Sequence, residues 1–241
     1  MLKRFALLLA ALFTAPLLAQ EPPPPVNPLP PPPPAVEYVA METTLGTITV
    51  EIEVERAPVT AANFLRYVDE KRYDGTVFYR AMPLEWGEQP NGLIQAGTQY
   101  DPKRTLPPIK HEPTSETGVL HVKGALSMAR FAPGTATGDF SIMLQEQPAM
   151  DADPASEDPE VRAGFAAFGK VVDGWDVVHA IHAAPTDPDK GEGWMKGQMI
   201  ADPVKIIRMR RVAAPVSAPP APPASTDMIG AEAPAAPPPT D

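Results

Sequence analysis

Alternation of apolar and polar residues marks the first stretch of the chain that is expected to fold. Between residues 36 and 54, apolar side chains recur at about every second position, and the pattern is broken at Gly46. A period of two is typical of a β-strand with one buried face, and glycine permits a turn. This stretch therefore predicts an antiparallel pair of strands.

The spacing of apolar residues then changes to the helical period. Pro58 suits the first position of a helix, and a buried stripe follows to about Lys71. A second stripe of this kind is formed by Trp175, Val178 and Ile181. The pattern predicts two helices, one after the first strand pair and one near the end of the foldable region.

The remaining apolar runs are short and β-prone, and polar segments rich in proline or glycine separate them. We predict strands at residues 76–83, 92–98, 118–130, 139–145, 165–172 and 203–212. With the first pair, this gives about eight strands. That number suits a closed barrel, which leaves no exposed sheet edge.

Proline divides the chain into one domain and two tails. Of the 34 prolines, ten lie in residues 22–34 and nine in residues 215–239, whereas the 177 residues from 36 to 212 contain only 14. We predict a proline-rich linker over residues 20–35, a folded domain over 36–212 and a disordered Pro/Ala-rich tail over 213–241.

Residues 1–19 have the pattern of a secretory signal peptide. Lys3 and Arg4 precede an apolar run that closes at Ala19, and the run is too short for a comfortable membrane span. We expect cleavage near Ala19, a periplasmic or secreted protein, and no stable membrane insertion afterwards. The alternative is an anchor that stays uncleaved.

The charge of the chain narrows the classes of partner. The net charge is −10, and removal of residues 1–19 would leave 18 basic and 30 acidic residues. Such an acidic chain with no basic stripe argues against nucleic acid as a partner. Cysteine is absent, which does not distinguish between redox compartments. His179 and His182 lie three positions apart without a third ligand nearby, so we expect no metal site.

Two polar residues lie in otherwise apolar β-prone runs. Arg80 directly follows Phe78 and Tyr79, where its guanidinium would be free at the strand's edge, and Gln95 stands between Ile94 and Ala96. The simpler interpretation is that Arg80 pairs with a surface carboxylate and Gln95 faces water.

Five short motifs favour a functional interpretation. They lie at residues 57–64, 73–80, 92–98, 124–130 and 168–174. In order and approximate spacing they match the cyclophilin family. Over about residues 38 to 212 the chain resembles a bacterial, periplasmic-like cyclophilin-type peptidyl-prolyl cis/trans isomerase.

The resemblance implies a mainly β fold, a closed eight-stranded antiparallel β-barrel capped by two α-helices, with a substrate groove on one outer face. It implies isomerisation of X-Pro bonds in exported proteins, with proline-containing unfolded or extended polypeptides as partners. Arg80 matches the family's catalytic arginine and Gln95 the glutamine beside it. Neither a cofactor nor a metal is required, and we expect a monomer.

The groove departs from the family pattern at several positions. Gly92-Leu93 replaces Phe-Met, Asp139-Phe140-Ser141 replaces Gln-Phe-Phe, and Phe165 replaces a histidine that many members carry. The predicted substrate-binding residues are Leu93, Ala129, Arg130, Phe131, Asp139, Ser141, Phe165 and Trp86.

Two aromatic walls of the proline pocket are therefore missing, and Phe131, Phe165 and Trp86 are the candidates to replace them. For Trp86, in the insertion at residues 85–91, the alternative is that it anchors this loop on the barrel. The altered groove also leaves open a catalytically weak, cyclophilin-like module that binds proline-containing segments.

Overall fold

The computed structural model describes residues 32–215, so the predicted signal peptide and most of the linker and of the tail lie outside the described residues. The strands are β1 (Glu37–Thr43), β2 (Gly46–Ile52), β3 (Val77–Pro83), β4 (Gly92–Gly97), β5 (Ala125–Met128), β6 (Phe140–Met143), β7 (Ala167–Asp173), β8 (Thr186–Asp187) and β9 (Met199–Val212). The helices are α1 (Pro58–Asp69), α2 (Thr114–Thr117), α3 (Pro159–Ala163) and α4 (Trp175–His182).

The strands close into a barrel. Their order is β1-β2-β7-β5-β6-β4-β3-β9, every pairing is antiparallel, and β9 returns to pair with β1. The two-residue strand β8 pairs with the start of β9 as an extra strand. The prediction of a mainly β fold with a closed eight-stranded antiparallel barrel is confirmed. The short elements β8, α2 and α3 were not predicted.

The predicted strand at residues 118–130 is much shorter in the structure. Only Ala125–Met128 is a strand, because a turn at Lys123 and Gly124 directly precedes it, with Ala125 N–H donating to Val122 O at 2.9 Å. Conversely, β9 begins at Met199, four residues before the predicted start. That earlier start extends β9 alongside Arg80, with which Met199 is paired.

Helix α1 supplies the centre of an aromatic core. The ring centroid of Phe64 lies 5.4 Å from those of Tyr73 and Phe140 and 5.1 Å from that of Phe168. All four rings are fully buried. Burial of large aromatic side chains is a major source of folding free energy, so this cluster fixes α1 on the barrel.

A distant carboxylate caps the start of α1. Ala57, at the N-cap, makes no capping bond, and Glu112 accepts hydrogen bonds from Val59 N–H at 3.0 Å and from Thr60 N–H at 2.6 Å. A carboxylate at a helix N-terminus accepts from N–H groups that have no partner within the helix, and the positive end of the helix dipole stabilises its negative charge. Asn63 further ties α1 to the barrel by donating to Thr137 O at 2.6 Å.

Helix α4 packs against β2, β3 and β4 through Val178 and Ile181, which are fully buried. None of the helices within residues 32–215 combines the length and the hydrophobicity that crossing a bilayer requires.

Candidate active site

A row of polar side chains crosses four neighbouring strands. Arg80 on β3 lies opposite Gln95 on β4, Gln95 opposite Ser141 on β6, and Ser141 opposite Ser127 on β5. Directly opposed residues project from the same face of a sheet. Because the alternate residues of these strands belong to the barrel core, this row lies on the outer face.

A row of apolar side chains runs beside the polar one. Met82, Leu93 and Met143 are opposed across β3, β4 and β6, and Ala125 on β5 joins their cluster. Met150 packs against them from the loop after β6. On each strand, the residue of the apolar row lies two positions, or about 7 Å, from the residue of the polar row. The outer face therefore offers an apolar surface next to a cation.

The guanidinium of Arg80 is held by three side chains. Nε and Nη2 donate to Gln198 Oε1 at 2.9 and 2.7 Å, Nη1 donates to Gln95 Oε1 at 2.8 Å, and Nη2 also contacts Met82 Sδ at 3.1 Å. The expectation of a free guanidinium was therefore wrong. An arginine has five N–H donors, and one N–H on Nη1 has no acceptor within residues 32–215.

All partners of Arg80 are neutral. No carboxylate forms an ion pair with Arg80 within residues 32–215, so the simpler interpretation of a surface pair with a carboxylate was also wrong. Arg80 is only 3% exposed, and burial lowers its pKa to about 10. It remains charged at neutral pH with its charge uncompensated by an anion.

The side-chain amide of Gln95 contacts Arg80 through its oxygen, which leaves its nitrogen for another partner. Its Oε1 accepts from Arg80, and its Nε2 group has no acceptor among residues 32–215. Since Oε1 is fixed by a charged donor, Nε2 is directed away from Arg80 and is available as a donor.

Sequence reasoning missed Gln198 and Trp194. The Arg80 Cζ atom lies 4.5 Å from the Trp194 ring centroid, and Gln198 makes two of the bonds to the guanidinium. Both belong to an irregular segment between β8 and β9, where no periodic pattern exists to reveal them. The only available signal was the proximity of an isolated Trp and Gln to the start of a strand.

Comparison with known proteins decides the family. The family model of the cyclophilin-type peptidyl-prolyl cis-trans isomerases matches residues 38–211. This chain belongs to that family. The cyclophilin is 36% identical over 176 residues to a peptidyl-prolyl cis-trans isomerase of Acinetobacter baylyi, which covers 71% of this chain and 84% of that protein. It is 33% identical over 153 residues to peptidyl-prolyl cis-trans isomerase B of Escherichia coli, covering 61% and 85%.

Solved structures agree on the fold. A crystal structure of a cyclophilin-type isomerase of Cryptosporidium parvum aligns with a TM-score of 0.56 at 20% identity, over 75% of this chain and all of that one. A second structure of the same protein, in the presence of the dipeptide Ala-Pro, aligns with a TM-score of 0.57. The predicted family and enzyme class, a peptidyl-prolyl isomerase, are confirmed.

The three aromatic candidates lie outside the apolar row of this cyclophilin. Trp86 is 58% exposed, so it does not anchor its loop on the barrel. Phe131 is 74% exposed and stacks on Tyr100 with ring centroids 5.2 Å apart. The Phe165 ring lies 4.4 Å from Arg130 Cζ. No aromatic side chain belongs to the apolar row, whose members are methionine, leucine and alanine.

Hydrogen bonds of Arg130 and Ala129 fix the segments that follow β5 and precede β6 and β7. The buried Arg130 side chain donates to Gly164 O at 2.6 Å and to Glu160 Oε2 at 2.8 Å. Ala129 N–H donates to Asp139 O at 2.9 Å. The Arg130 bonds hold the segment before Phe165 near the end of β5, and the Ala129 bond joins that end to the start of β6.

Asp139 is turned inward and supports a strained turn. Its Oδ1 accepts from Gln99 N–H at 2.9 Å, and its buried Oδ2 has no hydrogen-bond partner within residues 32–215. Gln99 and Tyr100 have φ values of 49° and 57°, in the left-handed region that such residues seldom adopt. Burial raises the pKa of Asp139 to about 6, although the backbone N–H groups of this turn act to lower it.

His121 connects the floor of the site to the loop that carries Met150. Its Nδ1 lies 2.7 Å from Asp151 Oδ1 and its Nε2 lies 2.8 Å from Ser127 Oγ. Burial lowers the pKa of His121, although the neighbouring Asp151 opposes this shift. A neutral imidazole donates to one partner and accepts from the other, which suits this bridge.

No group of three or more His, Cys, Asp or Glu side chains in residues 32–215 is arranged to hold a metal ion.

Proposed function

We propose that this cyclophilin isomerises X-Pro bonds in extended or partly folded segments of exported polypeptides. Arg80 is the catalytic donor, Gln95 positions it and binds the substrate backbone, and the apolar row receives the pyrrolidine ring. One observation carries this proposal: within the part of the chain that the structure describes, the buried guanidinium has no carboxylate partner and keeps one N–H without an acceptor, next to the apolar row.

Rotation about an X-Pro bond is slow because the amide is conjugated, with a barrier of about 18–20 kcal/mol. In the twisted transition state conjugation is lost and the lone pair collects on the prolyl nitrogen. A positioned N–H of Arg80 Nη1 donates to this lone pair, and it stabilises the twisted form more than either planar form. No bond is made or broken, so the enzyme supplies only positioning and electrostatic stabilisation.

The neighbours of Arg80 favour this role. Gln95 and Gln198 fix the guanidinium through neutral oxygens, so its charge remains available to the substrate. A carboxylate in either place would cancel much of that field. The Nε2 group of Gln95 is free to donate to a substrate carbonyl, which would hold the peptide across the two rows.

Substrate class is supported by two further observations. The Cryptosporidium parvum relative was crystallised in the presence of Ala-Pro. The apolar row next to Arg80 has the chemistry required to hold a proline ring. We propose that a monomer is sufficient for this, which light scattering on the purified protein can test.

The export route rests on the sequence of residues 1–19. Sequencing the N-terminus of the mature protein tests it: we expect cleavage near Ala19 and recovery in a periplasmic or secreted fraction. A mature protein that retains Met1 and fractionates with the cytosol would contradict the assignment, without affecting the chemistry proposed for Arg80.

The chemistry is tested by a protease-coupled isomerase assay with the wild type and Arg80→Ala. We expect a loss of kcat/KM of about 100-fold, because the donor proposed for the prolyl nitrogen is removed. Circular dichroism verifies that the variant is folded. Equal rates for two folded proteins would refute the proposal.

A second candidate function is a module that holds proline-containing segments with little turnover. It is favoured by the absence of an aromatic side chain from the apolar row and by Ser141 in the polar row. Saturable binding of a proline peptide by the wild type, without any rate enhancement, would favour this function over the enzyme.

A further inference from the structure

The loop between β8 and β9 lies against Arg80. Its ends are joined, since Asp187 pairs with Met199, and Gly197 N–H donates to Lys190 O at 2.9 Å inside the loop. Met199 also pairs with Arg80 across β3 and β9. The loop at residues 188–198 is therefore held beside the catalytic strand by its backbone.

Gln198 has a fixed orientation next to β3. Its backbone oxygen accepts from Ala81 N–H at 3.0 Å, one residue after Arg80. Its Oε1 accepts from both Nε and Nη2 of Arg80, and its Nε2 donates to Trp194 O at 3.1 Å. Because both ends of the amide are used, the side chain presents its oxygen to the guanidinium in one orientation only.

Trp194 lies on the face of the same guanidinium and is 72% exposed. A cation and an aromatic ring attract each other in this arrangement without any cancellation of formal charge. Gln95 and Gln198 thus hold the edges of the fork and Trp194 lies against a face. Much of the Trp194 ring remains open to solvent next to the guanidinium.

We infer that Gln198 is a positioning residue for Arg80, and that Trp194 contacts the substrate and favours an apolar side chain next to the proline. The inference rests on the proposed role of Arg80 as donor. Glutamine is suited to this position because it orients the fork through two hydrogen bonds and leaves the positive charge intact. An exposed indole beside the bound X-Pro bond offers apolar contact to a flanking side chain.

Gln198→Glu separates an electrostatic role from a structural one. Glutamate keeps an acceptor for Nε and Nη2 of Arg80 and adds an ion pair, but it loses the bond from Nε2 to Trp194 O. We therefore expect a thermal stability close to that of the wild type. We also expect kcat to fall by about 10-fold or more with little change in KM, because the carboxylate cancels part of the positive charge that Arg80 directs at the prolyl nitrogen in the transition state. Gln198→Leu, which removes both bonds, should also lower kcat by about 10-fold.

Lys196→Gln is the matched control, because it changes the charge of the same loop by the same amount. Lys196 is exposed and forms no ion pair among residues 32–215, and we expect wild-type rates for this variant. Wild-type kcat in folded Gln198→Glu would overturn the positioning role. A loss of the same size in Lys196→Gln would overturn it as well, since the effect would then be one of loop charge.

The role of Trp194 is tested by the ratio of kcat/KM for peptides with Leu or Gly beside the proline, measured on each side in turn. We expect Trp194→Ala to reduce the preference for Leu on one side by about 5-fold, and Trp175→Phe to leave it unchanged. Unchanged ratios on both sides in Trp194→Ala would overturn the contact role.

Arg80→Ala distinguishes these failures from that of the proposed function. If Arg80→Ala is inactive while Gln198→Glu has wild-type kcat, Arg80 keeps its role and Gln198 loses the one assigned to it. If Arg80→Ala retains wild-type activity, the donor role itself fails.

Discussion

Arg80 and Gln198 are 118 residues apart in the chain, yet two hydrogen bonds of 2.9 and 2.7 Å join the guanidinium to a single amide oxygen. Together with Gln95 on the opposite edge, this contact immobilises a cation that no carboxylate of the described residues neutralises. Preorganised charge of this kind needs no rearrangement at the transition state, which is the basis of its catalytic value. The barrel supplies β3 and β4, and an irregular loop supplies the rest.

The first prediction concerns Gln95. Gln95→Glu keeps an acceptor for Arg80 but loses the Nε2 donor and introduces a negative charge beside the guanidinium. We expect kcat/KM to fall by about 10-fold or more, with contributions from both kcat and KM. Steady-state isomerase kinetics measure both constants. A variant with wild-type kcat and KM would show that neither the donor nor the neutrality of this position matters.

The apolar row predicts a binding defect when its centre is made polar. Leu93 is buried between Met82 and Met143, so Leu93→Asn removes apolar contact and places an amide where the pyrrolidine ring is expected. We expect KM for a proline peptide to rise by about 10-fold, with kcat changed less. Leu120→Asn, at an exposed position, is the control and should behave as the wild type. An unaltered KM in folded Leu93→Asn would place the proline ring elsewhere.

Asp139 predicts a pH dependence of stability. Its pKa in the folded protein is raised to about 6, above the ordinary value of 3.8. Below pH 4 the carboxyl is protonated in both the folded and unfolded states. Between the two pKa values the carboxyl is ionised in the unfolded state but still protonated in the folded state. The free energy of unfolding therefore decreases as the pH rises through the folded pKa, by about 2–3 kcal/mol at most.

Asn at position 139 cannot ionise, which isolates this effect. We expect the free energy of unfolding of the wild type, relative to Asp139→Asn, to decrease by about 2–3 kcal/mol between pH 4 and pH 7. Urea titrations at several pH values measure the difference. A constant difference across this range would mean that Asp139 titrates near its ordinary pKa.

Glu112 predicts a large effect of a single distant side chain on α1. It is buried and accepts from two N–H groups and the hydroxyl at the start of this helix. We expect Glu112→Ala to lower the free energy of unfolding by about 2–4 kcal/mol, since those donors lose their partner. Glu116→Ala, at an exposed position in the same region, should change it by less than about 0.5 kcal/mol. Equal effects in the two variants would contradict the capping role.

The barrel could be predicted from the sequence because alternation of apolar residues is a local signal of strands and the strand motifs match those of a family. Alternation before and after Gly46 marked β1 and β2, and the motif around Arg80 and Gln95 identified the strands that carry the two side chains. The opposition of Arg80 and Gln95 follows from the pairing of those strands.

The remaining features depend on contacts that no local pattern encodes. Trp86 had the residue type of a loop anchor, but it is exposed, and the aromatic ring beside Arg80 comes from Trp194, 114 positions further along the chain. Asp139 replaces a groove residue of the family, and its carboxylate is used instead by the turn at residues 98–100. Tertiary packing determines the direction in which such side chains point, and it depends on residues far apart in the sequence.

Arg80→Lys separates the charge of residue 80 from the orientation of its N–H donors, because lysine keeps the positive charge and removes the planar guanidinium that Gln95 and Gln198 hold. The measurement is the cis/trans exchange rate of a proline peptide by NMR exchange spectroscopy, at equal concentrations of wild type and folded variant. We expect catalysed exchange to fall by at least about 10-fold. Exchange at the wild-type rate would contradict this expectation, since a charge without an oriented N–H would then suffice.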